Sequence, residues 1–443
     1  MKKIFTFAIS LAFVVALCAL SVFAAEEAEA KVNGVEYSSL QEAIDAAGNG
    51  DTVTLLKDLT IESTLSNAGK GIFNIQKDDC LTIDLNGKTI NVTDNSSGNF
   101  IVFYNYGDLT IKNGSVYITS TVNRYWNAES AVILSRGGSI TIENGSFIHN
   151  GGTDMAFALD ISGNWFGDAY ATINGGELRS TYRAIRMRME DISNGASGAV
   201  YLTVNGGTIH GDNAGVWGQL ASTYTGTEKI GNFDISGGTV SGGKNAISMG
   251  KTAQCNLEVV ISGETVVDGN LNGAADNFSI KGGTFTVAPA EDFFADGFTV
   301  LENSDGSFGV KVPLEGAFTF IGYSINEVDC DSITAGYNVD KSILDAYCEQ
   351  NSIAKVDFGC AFGVNAIDES KCISFSSYSA YQIFNAKIKG IDATNESHIN
   401  AALAMAMYID LGEGKSYVVE IDGKITLVDG DAVPTVTFGS FIG

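Results

Sequence analysis

Eight stretches of this chain follow the pattern apolar-x-apolar-x-Gly/Asn-Gly-x-apolar, or stay close to it. They are Ile83-Asp-Leu85-Asn-Gly87-Lys-Thr-Ile90, Leu109-Thr-Ile111-Lys-Asn113-Gly-Ser-Val116, Ile140-Thr-Ile142-Glu-Asn144-Gly-Ser-Phe147 and Ala171-Thr-Ile173-Asn-Gly175-Gly-Glu-Leu178. The others are Leu202-Thr-Val204-Asn-Gly206-Gly-Thr-Ile209, Phe233-Asp-Ile235-Ser-Gly237-Gly-Thr-Val240, Val259-Val-Ile261-Ser-Gly263-Glu-Thr-Val266 and Phe278-Ser-Ile280-Lys-Gly282-Gly-Thr-Phe285. The second apolar positions fall at 85, 111, 142, 173, 204, 235, 261 and 280, so the steps are 26, 31, 31, 31, 31, 26 and 19. Each unit reads as a strand with alternating buried side chains, a glycine corner that tolerates positive φ, and a second strand. Such a unit cannot bury its own apolar face and must stack on its neighbours. A further apolar stretch recurs between the markers at Ala131-Val132, Ala156-Phe157, Ala184-Ile185, Gly215-Val216 and Ala246-Ile247. One coil per repeat, stacked in parallel, gives a right-handed parallel β-helix. A β-propeller needs blades of ~40–45 residues, and an antiparallel sandwich would not demand a fixed period.

Composition agrees. The 443 residues include 52 glycines and only 3 prolines, which suits short strands turned at glycine corners and excludes collagen and long helices. With 45% hydrophobic and 18% charged residues there is enough apolar surface to offset the entropy of ordering. The net charge is −26, or −28 without Lys2 and Lys3. A chain this acidic repels phosphate backbones, so nucleic acid is excluded as a partner.

Lys2 and Lys3 precede an apolar run from Ile4 to Phe23, and Val22-Phe23-Ala24 suits a signal peptidase. Residues 1–24 are read as a secretory signal peptide rather than a membrane anchor, placing the protein outside the cell with no further membrane association. Beyond Cys18 there are six cysteines: Cys80 and Cys255 stand alone, while Cys330, Cys348, Cys360 and Cys372 cluster. Those four admit three pairings, and two disulfides suit an exported chain; in a cell living without oxygen they are buried thiols instead. No C-x-x-C pair suggests zinc.

Lys31 to Tyr37 reads as a hairpin turning at Asn33-Gly34, and Ser39 with Glu42 as a capping box opening a helix with Leu40, Ala43, Ile44 and Ala47 on one face. That helix would cover the open apolar end of the first coil. The repeat stops after Pro313. Residues 314–443 are read as a separate β-sandwich or α+β domain, with a short helix capped by Asp340, strands at Phe384–Ile388 and Ile399–Leu411, and a hairpin turning at Asp422-Gly423.

The opening Glu36-Tyr37-x-x-Leu40-x-x-Ala43-Ile44, the run Gly50-Asp51-Thr52-Val53-Thr54-Leu55 and Asp84-Leu85-Asn86-Gly87-Lys88 resemble secreted pectin-lyase-like β-helix proteins of Gram-positive bacteria. The likeness covers 31–312 and includes the closing hairpin from Gly297 through Asn303, Asp305 and Gly306. It implies the fold and leaves the activity open, since many such proteins are adhesins. For an enzyme on this fold it implies a lyase with an Arg or Lys base, often with calcium, or a hydrolase with spaced aspartates. The paired-Asp, Gly-His-Gly and Arg-Ile-Lys motifs of the polygalacturonase-like family are absent.

Residues in equivalent positions of successive coils form columns ~4.8 Å apart. Six arginines are present, and Arg179, Arg183, Arg186 and Arg188 fall within ten positions. Alternation in Ala184–Met189 turns Arg186 and Arg188 outward. Aligning the second apolar stretches puts Ala158, Arg186, Trp217 and Ser248 in one column, with Asp160, Arg188 and Gln219 in the next. Asp160, Arg186, Arg188 and Trp217 are therefore the candidate ligand-binding residues. The aromatic ring would stack on a sugar and the charges would bind hydroxyls or uronate carboxylates. The alternative is a structural Asp160–Arg188 pair with an Arg186–Trp217 cation–π contact. Trp126 and Trp165 lie in the same middle coils.

No catalytic set is identified. Asp154, Asp160, Asp168, Glu190 and Asp191 are the acidic candidates for a uronate-directed polysaccharide lyase or glycoside hydrolase. His149, His210 and His398 are read as turn or surface histidines. No cofactor is expected beyond weak surface Ca²⁺ at Asp/Asn turns. The expected partner is a polysaccharide or a host or cell-surface glycan; the expected role is non-catalytic, adhesin-like binding, with a structural spacer as a further alternative. Oligomeric state is left open.

Overall fold

The computed structural model describes residues 27–63, 70–96, 98–123, 128–152, 155–163, 167–189, 198–219, 231–249, 257–313, 317–325, 332–351, 353, 357–364, 368–375, 382–389, 402–410, 415–427 and 434–438. The chain divides into two compact units, Met1–Phe293 with Glu302–Gly309, and Phe294–Leu301 with Val310–Gly443. Among the described residues no helix is long and apolar enough to cross a membrane.

The first unit is a parallel β-helix with three sheets. Each coil contributes one strand to each sheet in turn, as Cys80–Asp84 (sheet I), Thr89–Asp94 (sheet II) and Phe100–Asn105 (sheet III) do before Asp108–Lys112 returns to sheet I. Alternation buries one side of every strand. In sheet I, Ile83, Ile111, Ile142, Ile173, Val204, Ile235, Ile261 and Ile280 lie in direct register and are fully or almost fully buried. Ile90, Val116, Phe147, Leu178, Ile209 and Val240 do the same in sheet II. Phe103, Ile133, Leu159, Ile185, Val216 and Ile247 line sheet III. Burying each such side chain contributes about 1.5–3 kcal/mol.

The first marker is corrected by two residues, because Ile83 rather than Leu85 pairs with Ile111. Sheet II keeps the step of 26 between Ile90 and Val116. The extra length sits in the corner, where Asn86 and Gly87 both take positive φ, 51° and 73°. Later corners turn on a single such residue, as at Gly207 with φ 88°. A Cβ on Gly207 would lie 2.7 Å from the Gly176 carbonyl oxygen of the coil before it.

The N-terminal end is closed as the sequence indicates. Ala30–Val32 and Val35–Tyr37 form a hairpin through Asn33 (φ 52°) and Gly34 (φ 80°), and Ala30 pairs with Leu55 on the sheet I edge. Helix α1 (Leu40–Ala46) buries Leu40, Ala43 and Ile44, and the Ser39 hydroxyl accepts from the Glu42 amide. The Glu42 carboxylate takes the Ser38 hydroxyl. Gln41 accepts from the Asn74 amide at 2.7 Å and donates to its carbonyl at 3.2 Å, satisfying the sheet III edge. At the other end Phe308 pairs antiparallel with Phe285.

Among its described residues the second unit holds two antiparallel sheets and a helix. Phe318–Ile325, Ser332–Val339 and Gln382–Lys389 form one sheet; Asp368–Phe375, Asp357–Val364, Ala402–Asp410, Lys415–Leu427 and Pro434–Phe438 form the other. Helix α2 (Lys341–Gln350) is capped by Asp340, whose carboxylate accepts from the Ile343 amide. The hairpin expected at Asp422-Gly423 is not formed. Lys415–Leu427 is one continuous strand with Asp422 opposite Ala404 and Gly423 opposite both Leu403 and Phe438. Partners on both sides hold the pair extended, overriding its local turn preference.

Gly207→Ala is expected to cost about 2–3 kcal/mol from positive φ and the carbonyl contact together. Gly34→Ala, with nothing within 4 Å, should cost only its conformational strain, about 1 kcal/mol. Urea denaturation of the two variants checks the order.

Candidate functional site

The candidate residues gather on the outer side of sheet III. In the strand Arg183–Met189, Ile185 and Met187 are buried in the coil interior, which sends Arg186 and Arg188 to the other side. The observed outer column is Tyr104, Leu134, Asp160, Arg186, Trp217 and Ser248. The next holds Arg136, Ser162, Arg188 and Gln219. Asp160 thus belongs beside Arg186, not beside Arg188, and Ala158 is not in the column. The Ala-apolar dipeptides misalign the coils because the connection before Ala156–Gly163 differs in length from that before Arg183–Met189. Val132-Ile133 and Ala158-Leu159 are the true equivalents of Ala184-Ile185.

Arg186 and Asp160 are both fully buried, contrary to the expectation of an open wall. Arg186 Nε donates to Asp160 Oδ1 at 2.9 Å and Nη2 to Oδ2, a bidentate fork. Burial alone would push the Asp160 carboxyl up. The Arg186 charge and hydrogen bonds, with Arg188 and Arg136 behind them, instead hold it below the usual carboxylate range. Burial likewise works against the Arg186 charge, but Asp160 and Glu129 outweigh it and raise its pKa. Arg186 also approaches Gln219 Oε1 at 3.4 Å and lies 4.3 Å from the Phe157 ring centroid.

Glu129 was not anticipated. It precedes the strand Ser130–Arg136, outside any repeated position, and no periodicity marks it. Its carboxylate bridges Arg186 Nη2 (3.0 Å) and Arg188 Nη1 (2.5 Å). The cation–π contact at Trp217 comes from Arg183, 3.5 Å from the ring centroid, rather than from Arg186. The same ring faces Phe157 at 6.5 Å. Trp217 therefore carries the Arg183 guanidinium over its ring and is not an open platform for a sugar ring. Tyr104 accepts from Arg136 Nη1 at 2.8 Å, and burial beside Tyr104 pushes the Tyr106 phenol up. Ile101, Tyr104, Leu134, Met155 and Phe157 form an apolar bed with Tyr106 and Trp217 packed on it. Ser162, fully buried beside Arg188 in register, has a hydroxyl without a hydrogen-bond partner.

The other candidates divide. Asp168 secures a loop, accepting from the Ala199 amide at 2.7 Å and from the Tyr170 hydroxyl. Asp154, Glu190, Asp191, Trp126, Trp165, His398, Cys255 and Cys330 lie outside the described residues. His149 is not a surface residue. It is fully buried in register with Ile118, its Nε2 2.7 Å from Ser130 Oγ, which in turn reaches Asp94 Oδ2 at 3.3 Å. A buried imidazole needs such partners. His210 is partly exposed, with Ser241 Oγ 2.8 Å from Nδ1 and Asp212 Oδ1 3.2 Å from Nε2.

Cys348 is a free thiol on helix α2, pushed up by burial and by the Asp345 carboxylate. Cys80 is free and exposed. Cys360 and Cys372 lie on the paired strands Asp357–Val364 and Asp368–Phe375, with Cys360 opposite Ile373. Among the described residues no group of three or more His, Cys, Asp or Glu side chains converges to hold a metal ion.

No family model, no curated protein and no solved structure matches this chain. The arrangement itself is a cationic cluster on an apolar bed, with Arg188, Arg183 and Gln219 reaching the surface around a buried ion pair.

Arg186→Met leaves Asp160 buried without its partner and should cost about 3–5 kcal/mol, while Arg186→Met/Asp160→Leu should regain most of the loss. Because Asp160 has a depressed folded pKa, its contribution is complete above the ordinary carboxylate value of 3.8 and is lost as pH falls below it. Asp160→Asn should therefore unfold more readily at neutral pH, with a shallower loss below pH ~4. Urea titrations at several pH values check both.

Proposed function

We propose that this chain is an exported, non-catalytic β-helix protein of the pectin-lyase-like kind that binds acidic glycans on the outer face of sheet III. One observation carries the reading. In a chain of net charge −26 with six arginines, Arg136, Arg183, Arg186 and Arg188 converge on that single face. A solvating surface would disperse its few cations. Guanidinium groups pair with carboxylates through parallel N–H donors, and Arg keeps its charge when partly desolvated. The signal-like leader supports export.

The roles differ from those the alignment alone indicates. Arg186 and Asp160 form the buried strut; Arg188, with 18% of its side chain exposed, and Arg183 on Trp217 are the groups a uronate carboxylate meets. Gln219, in register with Arg188, supplies a neutral amide for hydroxyls.

Arg188→Ala should weaken binding to polygalacturonate about 10–100-fold, the worth of one hydrogen bond to a charged group. Trp217→Ala should also weaken it, by releasing Arg183. Calorimetry at fixed salt measures both, with thermal melts to confirm folding. Full-strength binding by Arg188→Ala, or no binding of any acidic glycan by the native protein, removes the proposal. Release of unsaturated uronate or new reducing ends from pectin or alginate would replace it with the lyase or hydrolase alternative.

A further inference from the structure

The feature of this face that simple binding does not explain is Glu129. Its backbone is fixed, since its amide donates to Asn99 Oδ1 at 2.9 Å and its carbonyl accepts from the Phe100 amide at 2.7 Å. The side chain then passes the intervening strand Ala156–Gly163 to reach a strand two coils away, 59 residues along the chain at Arg188. Arg186 does not need it for charge balance, because Asp160 already engages that guanidinium through Nε and Nη2. On Arg188 the situation is different: Glu129 Oε1 sits 2.5 Å from Nη1, and both side chains keep some exposure, 13% and 18%. On Arg188, at the edge of solvent, the Glu129 carboxylate makes the contact a bound uronate carboxylate would make.

We infer that Glu129 is an internal competitor that occupies the ligand's carboxylate position on Arg188, so that an acidic glycan binds by displacing it. The inference rests on the acidic-glycan reading above and adds to it the group recognised, a single carboxylate, and a built-in threshold for its capture. A fixed Cα with a rotatable side chain allows the exchange without moving the sheet. Weak or incidental anions fail to dislodge a tethered carboxylate, whereas a polymer presenting many uronates succeeds. If Glu129 fills the position about nine-tenths of the time, the apparent affinity is reduced about tenfold.

The test compares the native full chain with Glu129→Gln, binding polygalacturonate by calorimetry at one salt concentration, with melting curves to confirm folding. Glu129→Gln should bind about tenfold more tightly, and the gain should vanish in Glu129→Gln/Arg188→Ala. Glu129→Asp, which keeps the charge but shortens the reach to Arg188, should fall between the native protein and Glu129→Gln; it carries the test if the amide variant folds poorly. Unchanged or weaker binding by folded Glu129→Gln or Glu129→Asp overturns the competitor, as does a gain that survives loss of Arg188. Failure of the native protein and every variant to bind is a separate result, which overturns the acidic-glycan reading itself.

Discussion

Register between consecutive coils governs everything else in the first unit. The inward column of Ile83, Ile111, Ile142, Ile173, Val204, Ile235, Ile261 and Ile280 sets it, because a slip by one residue would send every member outward. Close-packed corners reinforce the setting. The Gly176 and Gly207 turns lie against each other so tightly that a Cβ cannot be inserted. With the register fixed, outward side chains have no freedom to choose neighbours; Asp160 meets Arg186 because Leu159 meets Ile185.

That consequence explains how a full ion pair survives out of water on this sheet. Desolvating two charges costs several kcal/mol each, which attraction offsets only with near-ideal geometry and further hydrogen bonds. The strand pairing places the two backbones opposite each other, so the bidentate fork needs little additional ordering. Glu129 then shares Arg186 Nη2 with Asp160, and Gln219 approaches the Nη1 that Asp160 leaves. The pair's value is positional: it anchors the strand from which Arg188 projects.

The inward half of the structure was legible in the sequence because alternation, glycine corners and a constant step all describe the same buried columns. Asn33-Gly34, Ser39 and Asp340 were legible too, since caps and turns depend on near neighbours. The outer face was less so. Connections between sheets II and III range from nine residues before Ser130–Arg136 to two before Arg183–Met189, and a two-residue slip preserves the inside–outside pattern while moving Asp160 to the wrong partner. Glu129 left no trace, because contact across two coils has no period. Asp422-Gly423 misled in the opposite sense: its turn preference is real, but strands on both sides outweigh it. His149 reads as a turn or surface residue from sequence because a polar residue at an inward position is recognisable only once Ser130 and Asp94 are seen beside it.

Charge at two scales completes the argument. At long range the chain is strongly negative and repels polyanions, yet screening at physiological salt confines that field to about 8 Å from exposed groups. Within that distance the outer face of sheet III presents guanidinium groups backed by Ile101, Leu134 and Phe157, where the apolar bed weakens solvent screening. Global acidity therefore discourages loose electrostatic adhesion, while the proposed binding would draw on the local cluster. A basic surface of the same shape would attract any polyanion; on an acidic one the proposed ligand has a local cationic face to meet.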